Sequence, residues 1–228
     1  MEQNESAPAA VLWDMDGTLI DTEPYWIEAE VELCAAHGAA WTHADGLTLV
    51  GNPLTVSALC LQERGVRLTV PEIIDVLQTQ VTASVRRHVP WQHDARALLD
   101  RMVARGIPCG LVTMSYAMLA GALLEHADVF DAVVTGEIVA NGKPHPEPFL
   151  RAAEMLGVPI ERCLAIEDSP SGIRSAHASG ARTVAVRWLT PLEPLPTMSR
   201  VTSLDLLTDE AIAAIMGGAV LDDLDDET

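Results

Sequence analysis

The residues able to do chemistry stand just beyond separate apolar runs. Asp14 and Asp16 lie in Asp14-Met-Asp-Gly-Thr18, Thr113 and Ser115 in Val-Thr113-Met-Ser115, Lys143 in Gly142-Lys-Pro144, and Glu167 and Asp168 in Glu167-Asp-Ser169. Each has a structural explanation when taken singly: an Asx turn for the aspartates, a helix cap for Thr113 or Ser169, a solvated loop for Lys143. Their order, one set after each run, points instead to a shared edge. On that edge four carboxylates, Asp14, Asp16, Glu167 and Asp168, meet a single ammonium, a balance that calls for a cation. Hard oxygen ligands open to water suit Mg²⁺, which takes one or two carboxylates together with waters and a substrate phosphate. Lys143 is the only lysine in the chain, the other thirteen basic residues being Arg. Any chemistry that needs an ammonium group must therefore use it.

The elements that would position these residues alternate after Pro90. Strands are expected at 107–113, 132–135, 162–166 and 182–186, separated by helices at 94–105, 116–126, 147–156 and 171–179. With the apolar run at 9–13 this makes five parallel strands, an α/β fold with a doubly wound parallel sheet, whose ligands bind at the carboxyl ends of the strands. Between the first strand and the rest, residues 21–89 read as an all-helical insert. Its helices are expected at 25–37, 54–64 and 71–87, with Thr22 and Thr69 as candidate N-caps. The domain reading is a catalytic core at 1–20 and 90–216, the insert at 21–89, and an acidic, disordered tail at 217–228, with a last helix at 209–216 inside the core.

Composition limits the partners. A chain of 228 residues with 49% hydrophobic and 21% charged residues is globular, and its formal charge of −19 repels nucleic acid backbones and anionic membrane surfaces. No basic, apolar leader and no spanning apolar run is read, so neither a nucleic acid nor a membrane is an expected partner. Cys34, Cys60, Cys109 and Cys163 are scattered and form no CxxC pair, which fits a reduced, cytoplasmic compartment. A monomer or weak homo-oligomer is expected.

As a set, Asp14-Met-Asp-Gly-Thr18, the Thr113 and Ser115 motif, Gly142-Lys-Pro144 and Glu167-Asp-Ser169 with Gly172 resemble the four motifs of the haloacid dehalogenase-like superfamily. Asp21-Thr-Glu-Pro24, Lys143-Pro-His-Pro-Glu-Pro-Phe149 and Glu167-Asp-Ser-Pro-Ser-Gly172 are similar to its β-phosphoglucomutase-like branch, over residues 11–186. The resemblance implies a Rossmann-like core with the insert as a cap domain that closes over the site. It implies that Asp14 attacks phosphorus to form an aspartyl phosphate, and that Asp16 protonates the leaving oxygen and then deprotonates water. Thr113 and Lys143, with Ser115 through its backbone, would grip the phosphoryl oxygens. Mg²⁺ would be held by Asp14, the Asp16 carbonyl and Asp168, with Glu167 near or behind them.

Within the superfamily, Asp16 argues against haloacid dehalogenases, whose halide needs no proton, and a lysine-free cap excludes Schiff-base phosphonate hydrolases. The mutases of the branch carry cationic residues on a cap loop, whereas the comparable loop here, Leu49-Val-Gly-Asn-Pro-Leu54, carries none. The expected activity is therefore a Mg-dependent phosphatase acting on a small phosphorylated metabolite, a sugar or polyol phosphate. The alternatives are a sugar phosphomutase of the β-phosphoglucomutase type and a catalytically silent phospho-ligand or partner-binding protein. Trp26, Gly51, Asn52 and Thr55 are the candidate substrate-binding residues of the cap, Trp41 is a second candidate for ring stacking, and His145 is expected to face the site.

Overall fold

The protein is described by a computed structural model for residues 7–224. Its sheet has six parallel strands in the order β3-β2-β1-β4-β5-β6, namely β1 (Ala10–Trp13), β2 (Cys109–Val112), β3 (Ala132–Val134), β4 (Cys163–Glu167), β5 (Arg182–Val186) and β6 (Ser199–Val201). The connections reverse direction at β1, which pairs with β2 on one side and β4 on the other. This is the crevice where a doubly wound sheet receives its ligand. All four residues of β1 and all five of β4 are buried, as expected for parallel strands covered on both faces.

Helices α1 (Glu23–Ala36), α2 (His43–Leu47), α3 (Leu54–Glu63) and α4 (Val70–Arg87) lie between β1 and the rest of the core. The remaining helices are α5 (His93–Ala104), α6 (Ala117–Leu124), α7 (Glu147–Leu156), α8 (Pro170–Ser179) and α9 (Asp209–Met216). A capping box in which the Thr69 hydroxyl and the Glu72 carboxylate satisfy each other's backbone N–H groups starts α4. Its apolar face, Ile73, Leu77, Val81 and Val85, is buried in the same cluster as Leu119 and Leu123 of α6, so one continuous core runs from the insert into the sheet layer.

The elements of the fold depart from the sequence reading in three places. The sheet gains a sixth strand, β6, because Ser199 and Arg200, polar by type, are buried beside β5. The insert gains α2, a single turn closed by a Thr42–Asp45 capping box. The expected disordered tail is tied down through Leu224: Arg200 Nη2 lies 2.8 Å from Asp222 Oδ2, and Leu224 is buried against Ile173, Ala185, Leu192 and Met198. The acidic residues beyond Leu224 lie outside the described residues.

Candidate active site

The strand ends bring the floor of the site together. β1 runs out at Trp13, so Asp14 and Asp16 project from the turn that follows. Gly17 continues that turn with φ +91°, a conformation that glycine adopts without strain, and a Cβ there would lie 2.3 Å from Asp168 Oδ2. The adjacent strand β4 delivers Glu167 and Asp168, and Ser169 caps α8 by accepting the Gly172 N–H at 3.1 Å. A Cβ on Gly172 would fall 1.6 Å from Glu167 Oε1, so only glycine lets the helix start pack against that carboxylate.

Lys143 is the hub. Its Nζ donates to Asp14 Oδ1 at 2.6 Å, Glu167 Oε1 at 2.6 Å and the Val112 carbonyl at 2.8 Å, and its side chain is 4% exposed. The other Glu167 oxygen accepts from the backbone N–H groups of Asp168 and Ser169 and from the Ser169 hydroxyl. Glu167 is fully buried and both of its oxygens are engaged, so it holds the lysine and the following turn. Asp168 accepts from the Thr18 hydroxyl at 2.9 Å.

Asp16 is held separately. Its Oδ1 accepts from the Thr22 hydroxyl at 2.7 Å, and its Oδ2 accepts from the Ser115 hydroxyl at 2.7 Å and from that of Thr113 at 3.4 Å. Thr22 therefore does not cap α1 as the sequence reading has it; no side-chain cap bond forms there. The Ser115 N–H donates to Thr113 Oγ1 at 2.9 Å, and the Ser115 hydroxyl is the group that reaches Asp16.

Charge is unevenly compensated. Burial, then the Glu167 carboxylate, pushes Asp14 up to about 7 against the pull of Lys143. Burial, with Asp14 and Glu167 beside it, raises Asp168 well above the usual carboxylate range. Asp16 is also raised by burial, although the Thr22 and Ser115 hydroxyls favour its ionised form. Burial opposes the Lys143 charge, but Asp14 and Glu167 outweigh it and hold the ammonium above its ordinary range. Each of Asp14, Glu167 and Asp168 places a carboxylate oxygen within 4.8 Å of the others, so the floor is short of positive charge at a spot with the right ligands for a hard divalent cation.

Two cavities open onto this floor. One, of about 530 Å³, is lined by Asp14, Asp16, Thr113, Ser115 and Lys143 below and by Trp26, Gly51, Asn52 and Thr55 above. The other, of about 390 Å³, is lined by Asp16 and Asp168 and shares Trp26, Gly51 and Asn52 with the first.

The family model for haloacid dehalogenase-like hydrolases matches residues 11–186, which include every one of these floor residues. The chain belongs to this family. Fructose-1-phosphate phosphatase YqaB of Escherichia coli (strain K12) is 32% identical over 186 residues, covering 79% of this chain and 97% of YqaB. Among solved structures, CbbY from Rhodobacter sphaeroides in complex with phosphate superposes with a TM-score of 0.75 at 24% identity, over 86% of this chain and 95% of CbbY. The β-phosphoglucomutase of Clostridium difficile superposes with a TM-score of 0.71 at 23% identity, over 92% and 97% of the two chains. The protein is a haloacid dehalogenase-like phosphoric monoester hydrolase.

In this hydrolase two residues singled out in the sequence lie away from the cavities. Trp41 is 7% exposed, donates its indole N–H to Glu30 Oε2 at 3.0 Å and lies under the Arg64 guanidinium, so it packs the insert. His145 is exposed and accepts the Glu147 N–H at 3.2 Å, outside both cavity walls. Conversely, Thr18 and Thr22 act on Asp168 and Asp16 although neither was read as a site residue. The signal available is that Thr18 closes the aspartate motif and Thr22 follows it by four residues. Among the described residues no helix is long and apolar enough to cross a membrane.

Proposed function

We propose that this hydrolase removes phosphate from a small phosphomonoester whose leaving group is a sugar or polyol, with the phosphoryl group carried transiently on Asp14 and Mg²⁺ as cofactor. The observation that carries the reading is the division between the two aspartates: Asp14 is anchored by the lysine, and Asp16 by three hydroxyls, with both in the wall of one cavity.

Asp14 attacks phosphorus with a carboxylate oxygen as the bond to the leaving oxygen breaks, and Asp16 gives its proton to that oxygen. In the second half Asp16, now ionised, takes a proton from water as the water oxygen bonds to phosphorus and the Asp14–phosphorus bond breaks. Burial raises the Asp16 carboxyl above its ordinary range, which suits a group that must hold a proton in one half-reaction and release it in the other. Lys143 and Thr113 would bind the phosphoryl oxygens, and Ser115 keeps the Asp16 carboxyl in place. Asp14, Asp168 and the Asp16 main-chain carbonyl would hold Mg²⁺, while Glu167, with both oxygens engaged, would stand behind them. When bound, Mg²⁺ supplies Lewis-acid stabilisation of the charge on the transferring group.

Neither cavity wall carries a Lys or Arg from the insert, which supports a phosphatase over a mutase because a second phosphate would find no cation on that side. The test is release of p-nitrophenol from p-nitrophenyl phosphate with and without Mg²⁺. Turnover should require the metal and should be lost in Asp14→Asn. Equal turnover by wild type and variant would refute the reading.

A further inference from the structure

The turn after β2 and the loop after β3 are tied together by a side chain that the proposed chemistry leaves unused. Met114 stands between Thr113 and Ser115, is half-buried, and lines the catalytic cavity. Its Sδ accepts the Lys143 backbone N–H at 3.3 Å. Two glycines admit it: a Cβ on Gly142 would lie 2.8 Å from Met114 Sδ, and one on Gly136 would lie 2.6 Å from the Met114 carbonyl oxygen. Lys143 is therefore held at both ends, its ammonium by Asp14, Glu167 and the Val112 carbonyl, and its main chain by the thioether. Thr113 and Lys143, the residues proposed to bind the phosphoryl oxygens, meet at this contact, one preceding Met114 in the chain and the other donating to it. Among the described residues Met114 is also the one methionine in either cavity wall; Met15, Met102 and Met198 are buried elsewhere, and Met118 and Met155 are exposed.

We propose that Met114 is a positioning residue for Lys143 and a site of reversible oxidation, at which conversion of the thioether to the sulfoxide by a hydroperoxide disables phosphoryl transfer. The proposal adds control to the phosphatase reading and rests on it. In the oxidation a sulfur lone pair bonds to the terminal peroxide oxygen as the O–O bond breaks. That oxygen passes its proton to the departing oxygen, which leaves as an alcohol, or as water from hydrogen peroxide; the electron pair that sulfur loses is gained by the peroxide. The product is larger and strongly polar, in a cradle whose Gly142 side excludes even a methyl group, and it replaces the thioether that receives the Lys143 N–H. The loop that carries Lys143 must then shift against Thr113, and small displacements of a positioned group are costly in rate. Three of the cysteines are poorer targets. Burial raises the Cys34 thiol and pushes Cys109 up to about 11 and Cys163 up to about 12, so at neutral pH they hold little of the thiolate that peroxides attack.

The test treats the enzyme with hydrogen peroxide and follows sulfoxide at each methionine by peptide mapping, kcat on p-nitrophenyl phosphate, and amide hydrogen exchange at Lys143. As sulfoxide forms at Met114, kcat should fall by about tenfold or more and the Lys143 amide should exchange faster. Methionine sulfoxide reductases for both epimers, supplied with a thiol reductant, should restore both properties, whereas the thiol alone should restore neither. Met114→Leu, similar in volume but without the acceptor, should have a kcat several-fold lower and a faster-exchanging Lys143 amide, and peroxide should leave its remaining turnover intact. Met118→Leu, on the exposed side of α6, should stay as sensitive as wild type. Should Met114→Leu fail to fold, oxidation and enzymatic reduction of wild type decide. The proposal is overturned by full turnover with Met114 oxidised, or by no sulfoxide at Met114 under peroxide that oxidises Met118 and Met155. Equal inactivation of Met114→Leu and wild type would overturn it too, as would a loss that the thiol alone reverses or that the reductases leave in place. Absence of wild-type turnover before peroxide is added would be a different failure, that of the phosphatase reading itself, and the Lys143 exchange would still decide the positioning role.

Discussion

The floor and the roof of the site are built on opposite principles. On the floor the side chains are held before any ligand arrives: Lys143 by three acceptors, Asp16 by three hydroxyls, Glu167 by Lys143 and three donors, Asp14 by Lys143 and Asp168 by Thr18. The roof residues Trp26, Asn52 and Glu23 face open volume, and none of the three has a side-chain hydrogen bond to another described residue. The difference separates two tasks. Phosphoryl transfer needs positions held before the substrate arrives, whereas recognition of a leaving group needs groups whose partners the substrate itself supplies. Substitutions on the floor should therefore cost rate and stability together, and those on the roof should alter selectivity.

The largest effect is expected at Lys143. Replacing it with Ala leaves Asp14 and Glu167 buried without their cation, a loss on the order of 3–5 kcal/mol at neutral pH. Mg²⁺ should restore part of that stability and little of the rate. Melting temperatures with and without Mg²⁺, beside kcat on p-nitrophenyl phosphate, check both. A variant as stable as wild type without metal would break the view of Lys143 as the hub.

Next comes Asp16→Asn, which keeps the size of the side chain and removes the proton. On an alkyl phosphate, whose leaving oxygen needs protonation, kcat should fall by about 10²–10⁴. On p-nitrophenyl phosphate, whose leaving group departs as the anion, formation of the covalent intermediate should be less affected. Equal losses in a pre-steady-state comparison would remove Asp16 from the protonation step.

The smallest effect lies inside the insert. Glu30 is 5% exposed, and burial, against the Trp41 hydrogen bond, pushes it from 4.5 up to about 7. Folding then binds a proton that the unfolded chain has released, so the penalty for Glu30 grows as pH rises from 4.5 to about 7 and is complete above that. Glu30→Gln should raise stability by roughly 1–2 kcal/mol at pH 8 and have little effect near pH 4, read by thermal denaturation at the two pH values. A gain that does not depend on pH would assign the effect to packing.

The same division explains what the sequence reveals. The floor is legible because its residues sit at fixed places after strands, and strand ends show as apolar runs broken by Asp, Gly and Pro. The ends of α7 and α9 are also legible, since Pro148 falls at the first turn of one and Thr208 caps the other. β6 is hidden because a strand of three residues beginning Ser-Arg carries no apolar run; it is held by pairing with β5, by the Leu192 carbonyl, which accepts from the Arg200 guanidinium, and by the return of the chain at Leu221. Thr22 looks like a helix cap because residue type and position cannot tell a hydroxyl that turns toward its own helix from one that turns back to Asp16. Trp26 in the first turn of α1 and Trp41 just before α2 are the same side chain near the start of a helix, and only tertiary packing puts one in the cavity wall and the other against Glu30.

The division of labour between the two aspartates is tested most directly by acid-quenching the enzyme during turnover of p-nitrophenyl phosphate with Mg²⁺ and mapping the peptides by mass spectrometry. The expected result is a phosphoryl adduct confined to the peptide that contains Asp14, accumulating further in Asp16→Asn because hydrolysis of the intermediate slows. Undiminished turnover with no adduct on Asp14, or with the adduct on another residue, would contradict it.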